Sequence, residues 1–329
     1  MTDKHFAPPG PLGFGGAPLG NMFDVVSEET AEAAVVAAWE TGVRHFDTAP
    51  HYGNGLSEHR FGTILRRYPR EEFTLSTKVG RILRPDPSVT DNPPFLQCLP
   101  FRGDYDYSYD GTMRSIEDSY QRLGMAQIDI VYIHDLAADH HGDAWEEQFD
   151  VAMKGAAKAL IELRDQGVIK GWGFGVNLTE PCERALERSD PDVFLLAGRY
   201  SLLNQPALER LFPMCAERGV NVVVGGPYNS GLLAGGRNFE YQEAPPEMIR
   251  RRDQLAEICA RHGADLRSAA LQFCAAHPVV AAIIPGAKHA DKVRENARLM
   301  AATVPAEVWH QMRASGLLPS EAPTPDAAS

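Results

Sequence analysis

The 329-residue sequence lacks an excess of basic charge: 32 Lys and Arg face 44 Asp and Glu, a net charge of −12. Polyanions are held by Lys and Arg that displace their counterions, so nucleic acid is not an expected partner. Cysteine is scarce: Cys98, Cys182, Cys215, Cys259 and Cys274 stand far apart with no C-x-x-C pair. Disulfide and zinc frameworks need paired or closely spaced thiols, so reduced structural thiols are expected. No run approaches the roughly 20 apolar residues of a membrane span. The N-terminal MTDKHFAPPGPLGFGG has no apolar core of a secretory signal. A cytoplasmic protein without membrane contact is therefore expected. No metal site is expected either, because His140-His141-Gly142-Asp143 lies in a polar stretch without spaced partners. The composition carries no signal about oligomeric state.

What is present is a repeated punctuation. Amphipathic segments end in Gly42, Gly124, Gly167 and Gly219, and a short apolar or β-branched run follows each. Glycine past a helix takes the left-handed conformation that closes the last turn. Runs such as IDIVYI and VNVVV are apolar throughout, as strands covered on both faces must be. Strands are expected near Leu12–Leu19, Arg44–Asp47, Phe73–Lys78, Ile128–Ile133, Ile169–Val176, Val193–Ala197, Asn221–Gly225 and Val280–Ile284, with helical patterns between them. Eight alternating units predict a closed (β/α)₈ TIM barrel rather than an open doubly wound sheet. It should fill residues 1–317 as one domain, with long binding loops near 80–109 and 231–246 and a disordered tail over 318–329. The Arg250-Arg251-Arg252 run reads as a solvated helix face.

Three ionisable residues fall where expected strands end: Asp47 after VRHF, Lys78 after FTLST and His134 after IDIVYI. All strand C-termini of a parallel barrel face one rim, so these side chains should converge. Tyr52, five residues past Asp47, can reach over the same rim. A free phenol titrates near ~10, so use near neutrality requires about 4 kcal/mol of help. An ammonium about 4 Å away supplies about that much at an effective dielectric of about 20. A Tyr52–Lys78 proton relay is thus expected, with Asp47 keeping Lys78 charged and His134 donating to the reacting oxygen. Singly, each residue means little; joint placement on one rim is what points to catalysis.

These stretches also resemble a known family. Gly42 to Gly62 (GVRHFDTAPHYGNGLSEHRFG), LSTKVG around Lys78, and Met113 to Asp135 (MRSIEDSYQRLGMAQIDIVYIHD) are similar to signatures of the aldo-keto reductases. The likeness continues through LRDQGVIKGWGFGVN and IIPGAKHADKVRENA, covering most of the chain. It implies a (β/α)₈ barrel, an extended nicotinamide cofactor and a catalytic tetrad of Asp47, Tyr52, Lys78 and His134. Details such as APLGNMF, DYSYDG, GRYSLL and GGPYNSG most resemble the branch of bacterial D-threo-aldose (L-fucose) and pyridoxal dehydrogenases. That branch implies oxidation of a cyclic hemiacetal, a small sugar or an aldehyde in hemiacetal form, to a lactone. The rival readings are a general NADPH-dependent carbonyl reductase and, from another class, a redox-sensing regulatory subunit on the same fold.

The early LGFGGAP is not a dinucleotide fingerprint, because Pro18 and Gly20 stand where a helix should open; it reads as a tight turn at the barrel floor. GWGFG, Gly171–Gly175, reads as strand backbone requiring close approach. In Gly225–Gly236, small residues after a strand offer backbone N–H groups suited to a pyrophosphate. The resemblance places cofactor contacts at Gly226, Pro227, Tyr228, Asn229, Ser230 and Leu232 there. It adds Asn177 at the carboxamide and Pro285, Gly286, Ala287, Lys292, Glu295 and Asn296 at the adenosine end. Gly225 stands where the family has its nicotinamide-stacking aromatic, with Tyr228 the candidate replacement, and Ala197 replaces a Gln. Gly286, Ala287 and Lys292 replace donors of a 2′-phosphate pocket, and a Lys is a point charge without Arg's fork, Lys288 included. NAD is therefore the expected cofactor, with NADP tolerated.

Overall fold

The computed structural model describes residues 7–325. Eight parallel strands pair in chain order: β1 Phe14–Gly15, β2 His45–Asp47, β3 Thr74–Val79, β4 Ile130–His134, β5 Gly171–Val176, β6 Val193–Ala197, β7 Asn221–Gly225 and β8 Val280–Ile284. The sheet closes because Gly13 N donates to Ile283 O (2.8 Å) and Ile283 N to Pro11 O (2.9 Å). This is the expected (β/α)₈ barrel, and closure leaves no edge strand to cover.

Strand period 2 sorts the side chains into two cores. Val131 and Ile133, Phe194 and Leu196, Val222 and Val224 pack outward against the helices. Ile130 and Tyr132, Val193 and Leu195, Val223, Ala282 and Ile284 form a separate interior cluster. On β5 the interior positions are glycines. A Cβ on Gly173 would lie 1.9 Å from Val193 O, and one on Gly175 would lie 3.4 Å from Lys78 Cε. The GWGFG run thus makes room inside the barrel for a long side chain from β3.

Local signals set the helices. Ser27 and Ser108 cap the helices Glu28–Glu40 and Tyr109–Leu123 by accepting from Thr30 N (3.2 Å) and Gly111 N (3.0 Å). Gly124 ends the second at φ 60°, its N–H donating to Tyr120 O at 2.8 Å. All five cysteines are free and four are buried. Among the described residues no helix is long and apolar enough to cross a membrane.

Five expectations change. Residues 80–109 are not a plain loop: Arg81–Pro85 and Phe101–Tyr105 form an antiparallel hairpin. The stretch between them is tied down by Phe23 N→Pro94 O (2.9 Å) and Asn54 Nδ2→Leu99 O (3.3 Å). Within 231–246, Asn238–Phe239 pairs with Gln242–Glu243. LGFGGAP lies at the strand C-termini rather than the floor, because Gly15 pairs with Asp47 and Gly16 N donates to Asp47 O. The tail beyond 317 packs as far as it is described: Leu318, Ala322 and Thr324 are buried, and Arg313 donates to Ala322 O. Residues 326–329 of the expected disordered tail lie outside the described residues. Arg251, expected on a solvated face, donates to Leu317 O instead (2.5 Å).

Candidate active site

Asp47, Lys78 and His134 occupy the last or near-last inward positions of β2, β3 and β4, and all three are buried. Lys78 Nζ donates to Asp47 Oδ2 (2.7 Å) and Thr48 O (2.8 Å), and Ser76 Oγ donates to Asp47 Oδ1 (2.7 Å). Tyr52 comes from the turn after β2. Its ring lies edge-on to His134 with centroids 5.8 Å apart, and Lys78 Nζ sits 4.6 Å from its centroid. Asp47, Lys78 and His134 meet at one end of the barrel because period 2 aims them inward and parallel strands end together, and Tyr52 joins them from the turn.

The electrostatics differ from the expected relay. Burial pushes the Tyr52 phenol well above its ordinary value, the Asp47 and Asp135 carboxylates push it further, and only Arg81 opposes. Asp47 closes on the Lys78 ammonium, and its carboxylate offsets the help expected from that charge. The phenol is therefore protonated at neutral pH. Burial likewise raises the Asp47 carboxyl, against the pull of Lys78. His134 is held well below 6.5, first by burial and then by Lys78, Arg81 and His51 against Asp135, so its imidazole is neutral.

A second polar network adjoins this one and was missed in the sequence. Arg81 NH2 pairs with Asp135 Oδ2 (2.8 Å) and donates to Tyr105 Oη (2.6 Å), while Arg81 NH1 lies 3.3 Å from His134 Nδ1. His140 Nε2 lies 3.5 Å from Asp135 Oδ1, and Tyr107 Oη lies 2.9 Å from His141 Nε2. The signals were present in position alone: Asp135 follows His134, and Arg81 stands just past Lys78.

From this end a groove runs outward. A cavity of 210 Å³ is lined by Gly15, Gly16, Asp47, Tyr52, Tyr241 and the Gly225–Tyr228 turn, among others. A second, of 310 Å³, is lined by Tyr228, Arg267, Gly286–His289, Lys292, Glu295 and Asn296. Pro18, Tyr228, Gly231 and Gly286 line both, which makes one elongated cleft suited to an extended dinucleotide. Arg60 fixes the near wall, donating to Leu19 O (2.6 Å) and Val26 O (2.6 Å).

The expected cofactor residues divide. Gly226, Pro227, Tyr228, Ser230, Pro285, Gly286, Ala287, Lys292, Glu295 and Asn296 line the cleft. Leu232 is buried in the core, and Asn229 turns inward, its Nδ2 donating to Ser201 Oγ (3.0 Å). Asn229 and Leu232 spend their N–H groups on turns within the loop, so fewer donors remain for a pyrophosphate than expected. Asn177 lines a neighbouring cavity with Arg199 and Tyr241 and donates to Asp139 Oδ2 (3.0 Å). Tyr228 Oη donates to Asn296 Oδ1 (2.8 Å), which ties that ring towards the outer end. Sequence reasoning missed Arg267, which donates to Glu295 Oε1 (2.7 Å) while Lys292 donates to Glu295 Oε2 (2.9 Å). Lys288 is likewise closed by Asp24.

Comparison with known proteins matches this arrangement. Residues 11–316 fit the model of the aldo/keto reductase family. The chain is 40% identical over 322 residues to a pyridoxal 4-dehydrogenase of Microbacterium luteolum, covering 93% of this chain and 94% of the relative. It is 38% identical over 320 residues to a D-threo-aldose 1-dehydrogenase of a Pseudomonas species, covering 94% of each. Among solved structures, the holo form of aldo-keto reductase AKR11C1 from Bacillus halodurans superposes with a TM-score of 0.73 at 26% identity, covering 96% of this chain and 97% of that one. A barrel with this cleft, matched over nearly its whole length, belongs to the aldo/keto reductase family, and the protein is an NAD(P)-dependent oxidoreductase.

Proposed function

We propose that the protein oxidises a cyclic hemiacetal, an aldose such as L-fucose or D-arabinose or the hemiacetal of pyridoxal, to its lactone with NAD. The observation that carries this is near-full-length similarity to two relatives named for the oxidation of pyridoxal and of D-threo-aldoses. The site residues are assigned roles to match. Tyr52 exchanges the proton of the anomeric hydroxyl, and neutral His134 donates to the same oxygen and orients it. Lys78, held by Asp47 and Thr48 O, keeps its ammonium against the Tyr52 ring and fixes the ring's place in the site. The chemistry supplied by a bound oxidised nicotinamide is acceptance of the hydride from the anomeric carbon.

The preference for NAD rests on the outer cavity. Arg267 is shared between Asp265 and Glu295, Lys292 closes on Glu295 and Lys288 on Asp24, so the three cations there already meet three carboxylates. A 2′-phosphate would have to compete with those carboxylates, whereas a ribose hydroxyl would find Glu295 as an acceptor. KM values for the two nucleotides test this, and a preference for NADP of about a hundredfold, about 2.7 kcal/mol, refutes it.

The raised phenol favours a second reading, a carbonyl reductase in which Tyr52 acts as acid. A screen of NAD reduction over L-fucose, D-arabinose, L-galactose, pyridoxal and simple alcohols separates the two. Turnover of a sugar or pyridoxal supports hemiacetal oxidation. Activity confined to NADPH-driven reduction of aldehydes supports the reductase. A regulatory subunit would show neither.

A further inference from the structure

The strand carrying Lys78 continues into Gly80, whose φ of 104° turns the chain back over the barrel rim. A side chain there would strike Tyr107, since a Cβ would lie 2.3 Å from its ring. The turn delivers Arg81 to a buried position, only 7% exposed. Asp135, one residue beyond β4, takes φ 52°, a left-handed conformation that Asp tolerates better than most residues, and its N–H donates to Gly175 O (3.0 Å). Two unusual turns after adjacent strands thus bring a guanidinium and a carboxylate together at 2.8 Å in a site closed to water. Such a pair is dearly bought in desolvation and is weak evidence for stability.

Its position beside His134 suggests another use. The ring nitrogens of His134 face groups of opposite character: Nδ1 lies 3.3 Å from Arg81 NH1, and Nε2 lies 3.4 Å from Asp135 Oδ1. A guanidinium only donates and an ionised carboxylate only accepts. Nδ1 must then accept, so the single proton of the neutral ring sits on Nε2. The Nε2 contact is longer than an ordinary N–H···O bond, so that proton is not committed to Asp135. The geometry points to the Arg81–Asp135 pair as a positioning device that locks His134 in its Nε2–H tautomer, ready to donate to the reacting oxygen. It rests on the reading of His134 as that donor. Neither Arg81 nor Asp135 is assigned contact with substrate. The other charged and titratable groups around the ring are Lys78 from β3, Tyr52 and His51 from the turn after β2, and His140 beyond β4; of these only Lys78 carries a fixed positive charge.

The test reads the tautomer directly, without substrate. In full-length protein labelled with ¹⁵N-histidine, long-range ¹⁵N–¹H correlations distinguish the two tautomers, with His134 assigned by comparison with His134→Asn. Wild-type protein should show the Nε2–H pattern alone from about pH 6 to about pH 9. Arg81→Met should give a mixture of tautomers or the Nδ1–H form, and Arg81→Lys should restore the wild-type pattern. In turnover, Arg81→Met should lower kcat by at least about tenfold while the fluorescence-measured Kd for the nucleotide changes less than about twofold. A wild-type ring protonated on Nδ1, or an Arg81→Met ring unchanged from wild type, overturns the proposal. If Arg81→Met does not fold, the wild-type spectrum still decides, because a ring protonated on Nδ1 is incompatible with the guanidinium 3.3 Å from that nitrogen. A failed hemiacetal screen would remove the proposed substrate and leave the tautomer result standing.

Discussion

Replacing Lys78 with Met tests the electrostatic account most sharply. The ammonium and the Asp47 carboxylate are 1% and 2% exposed and 2.7 Å apart, so neither is rescued by water when the other is removed. Deleting one partner of a buried pair costs about 3–5 kcal/mol, because the survivor is left charged and uncompensated. The survivor here is a carboxyl whose pKa burial already raises, with Lys78 as the main opposing charge. Without Lys78 it should rise further. A folded-state pKa above the unfolded value of about 3.9 gives stability that is complete below that value and lost as pH rises through the folded one. The penalty of Lys78→Met, measured by urea unfolding, should therefore be near its full 3–5 kcal/mol at about pH 8 and smaller at about pH 5. Adding Asp47→Asn removes the orphaned charge, so the double variant should be less destabilised than the sum of the singles by about 1–3 kcal/mol. A penalty below about 1 kcal/mol at pH 8, or one equal at both pH values, would refute the picture of a closed ion pair.

Three further outcomes follow from the same geometry. Tyr52→Phe should bind nicotinamide nucleotide as tightly as wild type, by fluorescence titration, and lose about 10²–10⁴ of its turnover; retained turnover removes Tyr52 from the chemistry. Because burial holds the phenol protonated at neutral pH, hemiacetal oxidation, which needs it as base, should accelerate about tenfold per pH unit on the alkaline side, while reduction should not. An oxidation rate flat with pH excludes Tyr52 as the base. Gly62→Ala should destabilise the fold by about 1–3 kcal/mol in thermal unfolding, since its Cβ would lie 2.1 Å from Leu123 O where two helices meet; wild-type stability would contradict that contact.

The regular parts of this protein were legible in the sequence because their signals are local. Glycine punctuation and apolar runs located all eight strands, and the shared direction of parallel strands put the strand-end residues Asp47, Lys78 and His134 on one rim. Resemblance added where the cofactor residues should fall, and most of those line the cleft. The misses occurred where spacing carries no periodicity. LGFGGAP was placed at the wrong end of the barrel because two strand residues give no direction. The 80–109 hairpin escaped notice because Arg81–Pro85, RILRP, carries no alternation of apolar and polar residues.

Charge balance was also hidden. The sequence alone determined which residue types reach the rim, because strand direction and period depend only on chain-local geometry. It could not say that Asp47 closes on Lys78 and leaves the phenol acidic only with difficulty, or that Arg81 and Asp135 flank His134. Those facts rest on distances between side chains from different strands and on the water that the barrel excludes. Only the tertiary structure fixes both, and it is they that set which group holds each proton.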